Sequence, residues 1–187
     1  MKHLLRFLLS FCLVTAITPF VMLAQTPSAP AQKTEAPPQA KEGDVDSIEH
    51  IVGALYSGIS GPPGPRDWDR VRSLFYTGAR LIPSRRDQNG KVTATNLSIE
   101  EYITRSQPFL EKEGFFEAPV ANRVESWDHL AHVWSTYESR HAKGDAPFAR
   151  GINSIELMND GNRWWIITVY WEGEDKAHPL PEKYLAK

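Results

Sequence analysis

The chain has 187 residues, of which 41% are hydrophobic and 24% are charged, a composition typical of one globular domain with some length left over. A net charge of -2 without a basic stripe argues against nucleic-acid binding. The single cysteine, Cys12, lies in a segment that we expect to be removed. Disulfide frameworks, thiol catalysis and cysteine zinc sites are therefore excluded for the mature protein.

The first 24 residues have the layout of a secretory signal peptide. Lys2 and Arg6 form a positive start, residues 4–23 are almost wholly apolar, and Ala24 is a small residue suited to cleavage. The alternative is an uncleaved anchor, because the apolar run approaches the roughly 20 residues that span a bilayer. Helix-breaking Pro19 favours cleavage. We expect a periplasmic or secreted protein with no membrane span after cleavage.

Residues 25–45 predict a disordered linker rich in proline and alanine. Four prolines occur between Gln25 and Asp44 without one large apolar side chain. Such a stretch cannot bury enough surface to offset the entropy of ordering it. The folded domain is predicted over residues 46–187.

Helical periodicity is confined to the first half of this domain. Apolar residues at helical spacing predict a helix over 46–57, and a second, short helix follows a cap at Asp67. Ser98 and Glu101 form a capping box that opens a third helix. Pro108 is expected to kink the third helix or end it early.

The remaining predicted elements are β-strands. A short pair is predicted over 79–83 and 91–95, around the Asn89-Gly90 turn that precedes the third helix. Four longer strands are predicted over residues 115–126, 130–140, 148–158 and 163–171. Helices followed by an antiparallel meander predict an α+β fold, with the helices on one face of a curved sheet.

This order of elements resembles the NTF2-like (SnoaL-like) family. The family fold is an α+β cone in which three N-terminal helices pack on a strongly curved, mixed or antiparallel sheet of four long strands plus a short strand pair. The resemblance covers residues 46–173 and rests on Ile51–Ser57, Asp67–Phe75, Ala131–Arg140 and Gly151–Trp171. The last stretch is similar to the closing hairpin of secreted bacterial members without an assigned activity. The family also includes ketosteroid isomerase, scytalone dehydratase and polyketide cyclases, so the fold does not give the function.

The resemblance implies a pocket between the helices and the concave face of the sheet. Alignment with the isomerase pattern places Asn153 where that enzyme has a pocket acid, and strand alternation then predicts which side chains point inward. The ligand-binding candidates are Tyr56, Ser135, Tyr137, Asn153, Trp165 and Trp171. Ile167 and Val169 are predicted to point inward as well. The alternative is that these side chains fill a core without a cavity, and a one-residue register error would invert the whole set.

The opposite face of the predicted sheet is unusually apolar for a solvated surface. Its dimer-face candidates are Trp134, Arg150, Ile152, Trp164, Ile166 and Tyr170. The resemblance implies homodimerisation through this face. The alternative is that the N-terminal segment or the tail after Glu172 covers it.

The catalytic signature is weak. Pro83 or Ser84 stands where the isomerase carries its carboxylate base, and Asn153 cannot donate a carboxylic proton. An enzyme on this pocket would use Tyr56, Tyr137 or His50 as its first candidate acid or base. His129 and His132 are three residues apart and do not share a strand face, so neither a metal site nor a cofactor is expected.

Three functions fit these observations. The preferred one is a secreted, non-catalytic domain that holds a small apolar or amphipathic molecule against Tyr137, Asn153 and Ser135. The second is an isomerase-, dehydratase- or cyclase-type enzyme, which a pocket histidine or acid with a strongly perturbed pKa would favour. The third is a dimeric protein-interaction domain, which a cone filled by Trp165 and Trp171 would favour.

Overall fold

The computed structural model describes residues 36–185. The predicted signal peptide, residues 1–24, and the first part of the predicted linker lie outside the described residues. The helices are α1 (Ile48–Ile59), α2 (Trp68–Ser73) and α3 (Ile99–Lys112). The strands are β1 (Phe75–Arg86), β2 (Val92–Ala94), β3 (Phe116–Trp127), β4 (Leu130–Arg140), β5 (Ala149–Asn159) and β6 (Trp164–Gly173). No helix in the described range is long and apolar enough to cross a membrane.

The six strands form one sheet in the order β2-β1-β6-β5-β4-β3. All neighbours are antiparallel except β1 and β6, which are parallel, so the sheet is mixed. The predicted α+β architecture is confirmed. The strand β1 is longer than predicted because it pairs along its length with β6 as well as with β2.

Side-chain caps fix where the helices begin. Ser47 accepts a hydrogen bond from the backbone N–H of His50 at the start of α1. At α3 the predicted capping box is present, with Ser98 and Glu101 bonded reciprocally. Of the two effects predicted for Pro108, an early end of the helix is wrong, since α3 continues through it to Lys112, while a kink stays a prediction.

The core lies between the helices and the concave face of the sheet. Its largest fully buried side chains include Ile51 on α1, Leu74 directly after α2, and Ile155, Leu157 and Ile166 on β5 and β6. The residues just before α1 also belong to the domain. Asp44 accepts two hydrogen bonds from the Arg70 guanidinium at 2.6 and 2.9 Å, and the Val45 carbonyl accepts one from the backbone of Trp164.

Two β-bulges change which side chains face the core. On β3, Ala121 pairs with Thr136 but Pro119 pairs with Tyr137, which leaves Val120 as an extra residue. On β6, Ile166 pairs with Leu157 but Thr168 pairs with Glu156, which leaves Ile167 as an extra residue. Each bulge inverts the inward and outward faces of its strand from that point on.

Two glycines of α1 give a first test of this packing. A Cβ built at Gly53 meets nothing within 4 Å, whereas one at Gly58 would lie 2.9 Å from a methyl group of Val71. We expect Gly53→Ala to stabilise the domain by about 0.8 kcal/mol, because alanine loses less backbone entropy in a helix. Gly58→Ala is the matched control and should destabilise it. Urea unfolding of both variants measures the difference, and equal effects would contradict the packing of α1 on α2.

Candidate functional site

A cavity of about 160 Å³ opens between the helices and the concave face of the sheet. Most of its lining is apolar, contributed by Leu55, Ile59, Val71, Phe75, Leu81, Phe115 and Val169. Four further residues give it polar or aromatic character, namely Tyr102, Glu117, Asn153 and Trp171. An apolar cavity with a few converging polar groups is the usual form of a small-molecule site.

Glu117 is the only acidic residue in this lining. It pairs with Ser139 across β3 and β4, and the bulge at Val120 brings it to the inward face. Glu117 as a whole is half-buried because β3 is an edge strand, but its carboxyl group is surrounded by protein. Its Oε2 accepts a hydrogen bond from Ser139 Oγ at 2.9 Å, and its Oε1 accepts a longer one from Asn153 Nδ2 at 3.4 Å.

Burial raises the pKa of Glu117 from its ordinary 4.5 to about 7, because a carboxylate loses its hydration in this position. The two hydrogen bonds from Ser139 and Asn153 act in the opposite direction, since they favour the ionised form, but they are the smaller effect. The carboxyl group therefore changes charge close to neutral pH. This is the range in which an acid can both accept and release a proton during binding or catalysis.

A chain of hydrogen bonds extends from this acid into the protein. Asn153 Nδ2 donates to the Tyr56 hydroxyl at 3.1 Å, and that hydroxyl lies 2.6 Å from Ser135 Oγ. Ser135 donates its single proton to Asn122 Oδ1 at 2.6 Å. Ser135 must then accept from Tyr56, which commits the Tyr56 proton to the network.

The tyrosines around the acid are neutral at physiological pH. Burial raises the pKa of Tyr56 and of Tyr102 to about 12, and it raises that of Tyr137 further, with the nearby Glu117 adding to each shift. Glu117 is therefore the group of this cluster that titrates near neutrality.

The six predicted pocket residues occupy three different places. Asn153 and Trp171 line the cavity. Tyr56, Ser135 and Tyr137 are buried beside its polar end, where Tyr56 and Ser135 belong to the hydrogen-bond chain. The four strand residues among these agree with the predicted inward face, while a role in ligand binding stays a prediction.

The prediction that Trp165 lines the pocket is wrong. Because Ile167 is an extra residue, Trp165 faces the other side of the sheet. Its ring contacts Tyr76 edge-on at 5.8 Å and lies under the Arg163 guanidinium at 3.5 Å, and its Nε1 donates to Asp160 at 2.7 Å. Strict alternation also predicts that Ile167 points inward. It is the extra residue of the bulge and has no partner on β5, so alternation does not apply to it.

Because of the same bulge, two of the predicted dimer-face residues lie on the core side of the sheet, so their predicted outward position is wrong. Ile166 is fully buried in the core, and Trp164 packs against that core from its edge. Tyr170 lies beyond the bulge and is 42% exposed, as its predicted outward position requires. Ile152 is half-buried.

The remaining two dimer-face residues are contacted by the C-terminal segment, residues 174–185. Glu174 forms an ion pair with Arg150 at 2.5 Å, and the Tyr184 ring lies 5.6 Å from the Trp134 ring. Thr136 Oγ1 donates to the Tyr184 carbonyl at 2.7 Å. Part of the outer face is therefore covered by the chain itself, and homodimerisation through this face stays a prediction.

Among residues 36–185, no histidine lines the cavity. His50 is exposed at the start of α1 and contacts Asp46, and His129 is exposed in the β3–β4 turn and contacts Asp128. His132 bonds to Ser154 on the outer face of the sheet. Within residues 36–185 no three His, Cys, Asp or Glu side chains are grouped closely enough to hold a metal ion.

Sequence reasoning missed the acid and two aromatic walls of the cavity. Glu117 lies on β3 and Phe115 directly before it, in the stretch 115–126 whose internal proline predicts an edge or bulged strand without indicating which residues face inward. Tyr102 lies on α3 at helical spacing with the other apolar residues of that helix. A carboxylate flanked by Phe116 and Ala118 was the available signal. Its orientation could not be read without the bulge at Val120.

Cone, cavity and strand order together define an NTF2-like fold. In comparisons with solved structures, the chain is similar to a cystatin-like-fold protein of unknown function from Nostoc punctiforme, at 10% identity and a TM-score of 0.54, over 69% of this chain and 90% of that one. It is also similar to an NTF2-like protein of unknown function from Pseudomonas putida, at 8% identity and a TM-score of 0.53, over 72% and 90% of the two chains. No protein-family model and no curated protein matches the sequence. Likeness at such low identity concerns the fold alone.

Proposed function

We propose that this domain binds a small, mainly apolar molecule in the cavity between its helices and sheet. The observation that carries the proposal is an apolar cavity of about 160 Å³ with one carboxyl group, Glu117, at its polar end. Trp171 forms part of the wall and does not plug the cavity. This supports ligand binding over an interaction domain with a filled pocket.

The size of the cavity limits the ligand. A cavity of about 150 Å³ lined by aliphatic and aromatic side chains accommodates benzene. We therefore expect a molecule with one six-membered ring, or its aliphatic equivalent, and a short polar substituent. The apolar part would lie against Leu55, Val71 and Leu81, and the substituent would reach Glu117 and Asn153.

Binding of benzyl alcohol, followed by amide chemical-shift changes in the full-length protein, tests the proposal. Saturable shifts at residues of the cavity wall are expected. Val169→Phe fills the cavity and should abolish them, whereas Thr168→Phe adds the same ring on the opposite face of β6 and should leave them. Circular dichroism establishes that both variants are folded. The proposal fails if no one-ring probe of this size, charged or neutral, binds saturably, or if benzyl alcohol binds folded Val169→Phe as well as wild type.

A second candidate function, proton transfer, is favoured by one observation, the raised pKa of Glu117. At pH 8 the ionised carboxyl could take the α-proton of a small ketone. Tyr56 would not protonate the resulting oxyanion directly, because its proton is committed to Ser135. Exchange of the α-protons of cyclohexanone for deuterium in heavy water tests this candidate. The rate should rise with wild type and not with Glu117→Gln, and equal rates would reject it.

We also propose that the domain acts outside the cytoplasm, as the layout of residues 1–24 predicts. N-terminal sequencing of the protein from cells tests this. A mature chain beginning at Gln25 is expected, and a mature chain beginning at Met1 would overturn it.

A further inference from the structure

We infer that the ligand of this cavity is a compact hydrophobic amine, bound as its ammonium ion with the Glu117 carboxylate as its counter-ion. The inference rests on the proposed function and assigns the chemical class of the ligand. Three independent features carry it: the charge of the cavity, the composition of its walls and its size.

The first feature is an acid without an internal cation. Among residues 36–185, Glu117 receives hydrogen bonds from Ser139 and Asn153, and no Lys, Arg or His forms an ion pair with it. Buried carboxylates in proteins are normally paired with a positive group. The missing positive charge is therefore best supplied by the ligand.

The neighbours of the acid from every packed element support this assignment. The titratable groups that face it are Tyr56 on α1, Tyr102 on α3 and Tyr137 on β4, and all three are neutral near pH 7. The tyrosines thus leave one net negative charge at this end of the cavity when Glu117 is ionised. An anionic ligand such as a carboxylate would be repelled and would also lose its own hydration.

The carboxyl group also has room for more donors. An ionised carboxylate offers about four acceptor positions, and here each oxygen receives one hydrogen bond. An ammonium group carries three N–H donors and could bond both oxygens, which a single hydroxyl donor cannot do. Charge-assisted hydrogen bonds of this kind are roughly twice as strong as neutral ones.

The second feature is the aromatic character of the walls. Tyr102 and Trp171 stand edge to face, with ring centroids 6.3 Å apart, and Phe75 and Phe115 contribute further rings. Aromatic faces attract cations and also cover hydrocarbon surface. Walls of this kind suit an alkyl- or arylammonium ion better than a polyhydroxylated molecule, whose hydroxyl groups would find no partners.

The third feature is size. The cavity has the volume that accepts one six-membered ring, so a ring with an aminomethyl group is the expected scale. Benzylamine and benzyl alcohol have the same number of non-hydrogen atoms and differ in whether the terminal group is an ammonium ion or a hydroxyl. They form a matched pair of probes.

The pH dependence of amine binding has a defined direction. Below pH 7 Glu117 becomes protonated, so the affinity for an ammonium ion should fall about tenfold for each further pH unit. A neutral carbonyl ligand that accepts a hydrogen bond from the protonated acid would show the opposite dependence. The affinity for benzyl alcohol should change much less.

Isothermal titration of the full-length protein with both probes at pH 8 and pH 5.5 tests the inference. At pH 8 benzylamine should bind wild type at least tenfold more tightly than benzyl alcohol does. Glu117→Gln should reduce this preference to threefold or less, while Glu125→Gln, on the same strand but exposed, should retain it. Lowering the pH to 5.5 should weaken benzylamine binding by at least tenfold.

The outcomes separate this inference from the proposed function. If benzyl alcohol binds wild type as tightly as benzylamine, or if Glu117→Gln keeps the full preference for the amine, the amine inference is overturned and the small-molecule site stands. If neither probe binds, the proposed function is overturned and the amine inference with it.

Discussion

Glu117→Gln is expected to stabilise the domain at pH 8, with the gain largely disappearing at pH 5. In the folded protein the pKa of this carboxyl is raised from 4.5 to about 7, so the protonated acid favours folding. The contribution of this group to stability is therefore largest at acidic pH, falls as the pH rises from 4.5 to about 7, and is constant above that range. The ionised carboxyl therefore lowers the free energy of unfolding by about 3 kcal/mol at pH 8, and by less than about 1 kcal/mol at pH 5.

Urea unfolding of wild type and variant at the two pH values measures this effect. Glutamine keeps the shape of the side chain, and its oxygen can still accept from Ser139, so the main change is the loss of the titrating charge. Glu125→Gln is the control because it removes a carboxyl from the exposed part of the same strand. A Glu117→Gln effect that is the same at pH 5 and pH 8 would show that the acid is not buried in the cavity.

Gly151→Ala is expected to destabilise the domain by about 3 kcal/mol, near the upper end of the cost of overpacking a core. A Cβ at this position would lie 2.3 Å from the Glu172 carbonyl oxygen and 2.6 Å from the Tyr137 hydroxyl. The backbone oxygen belongs to the β5–β6 ladder and cannot move freely. To make room for the added methyl group, either the hydrogen bonds between β5 and β6 must open or the Tyr137 ring must move, and both destabilise the folded state.

Gly173→Ala is the matched control for this steric argument. Gly173 pairs with Gly151 across the ladder, but its added Cβ would be 3.6 Å from the nearest atom, an ordinary contact. We expect its free energy of unfolding to lie within about 1 kcal/mol of wild type. Equal stabilities of the two variants, measured by urea unfolding, would contradict the placement of Tyr137 over Gly151.

Much of the fold could be predicted because the local signals and the tertiary structure agree. The capping box at Ser98, the turn at Asn89-Gly90 and the alternation along β4 and β5 each indicate the element that is present. The inward position of Asn153 is what the isomerase resemblance implies, and strand alternation then predicts that of Tyr137. The parallel pairing of β1 with β6 joins segments far apart in the chain, and no local pattern encodes it.

The errors in the site come from the two bulges. A single extra residue at Ile167 moved Trp165 out of the cavity and Ile166 into the core. A single extra residue at Val120 brought Glu117 in. Pro119 predicts an edge or bulged strand over 115–126, but it does not indicate at which residue the alternation shifts. The bulge on β6 is set by packing between strands, and strict alternation could not predict it.

The consequence for function is specific. Alternation predicts a neutral polar set on the inward faces, and the isomerase resemblance implies that the carboxylate base is missing. Together they favour a non-catalytic binding domain. The acid that the β3 bulge introduces makes the polar end of the cavity titratable near neutral pH. Both proposals, an amine counter-ion and a base for proton transfer, depend on this one carboxyl group.

The most direct test of this account is a carbon-13 NMR titration of the glutamate side-chain carboxyls in the full-length protein. The Glu117 signal is assigned as the one that is absent from Glu117→Gln. We expect it to titrate with a pKa near 7. A Glu117 carboxyl that titrates at its ordinary 4.5 would contradict the account.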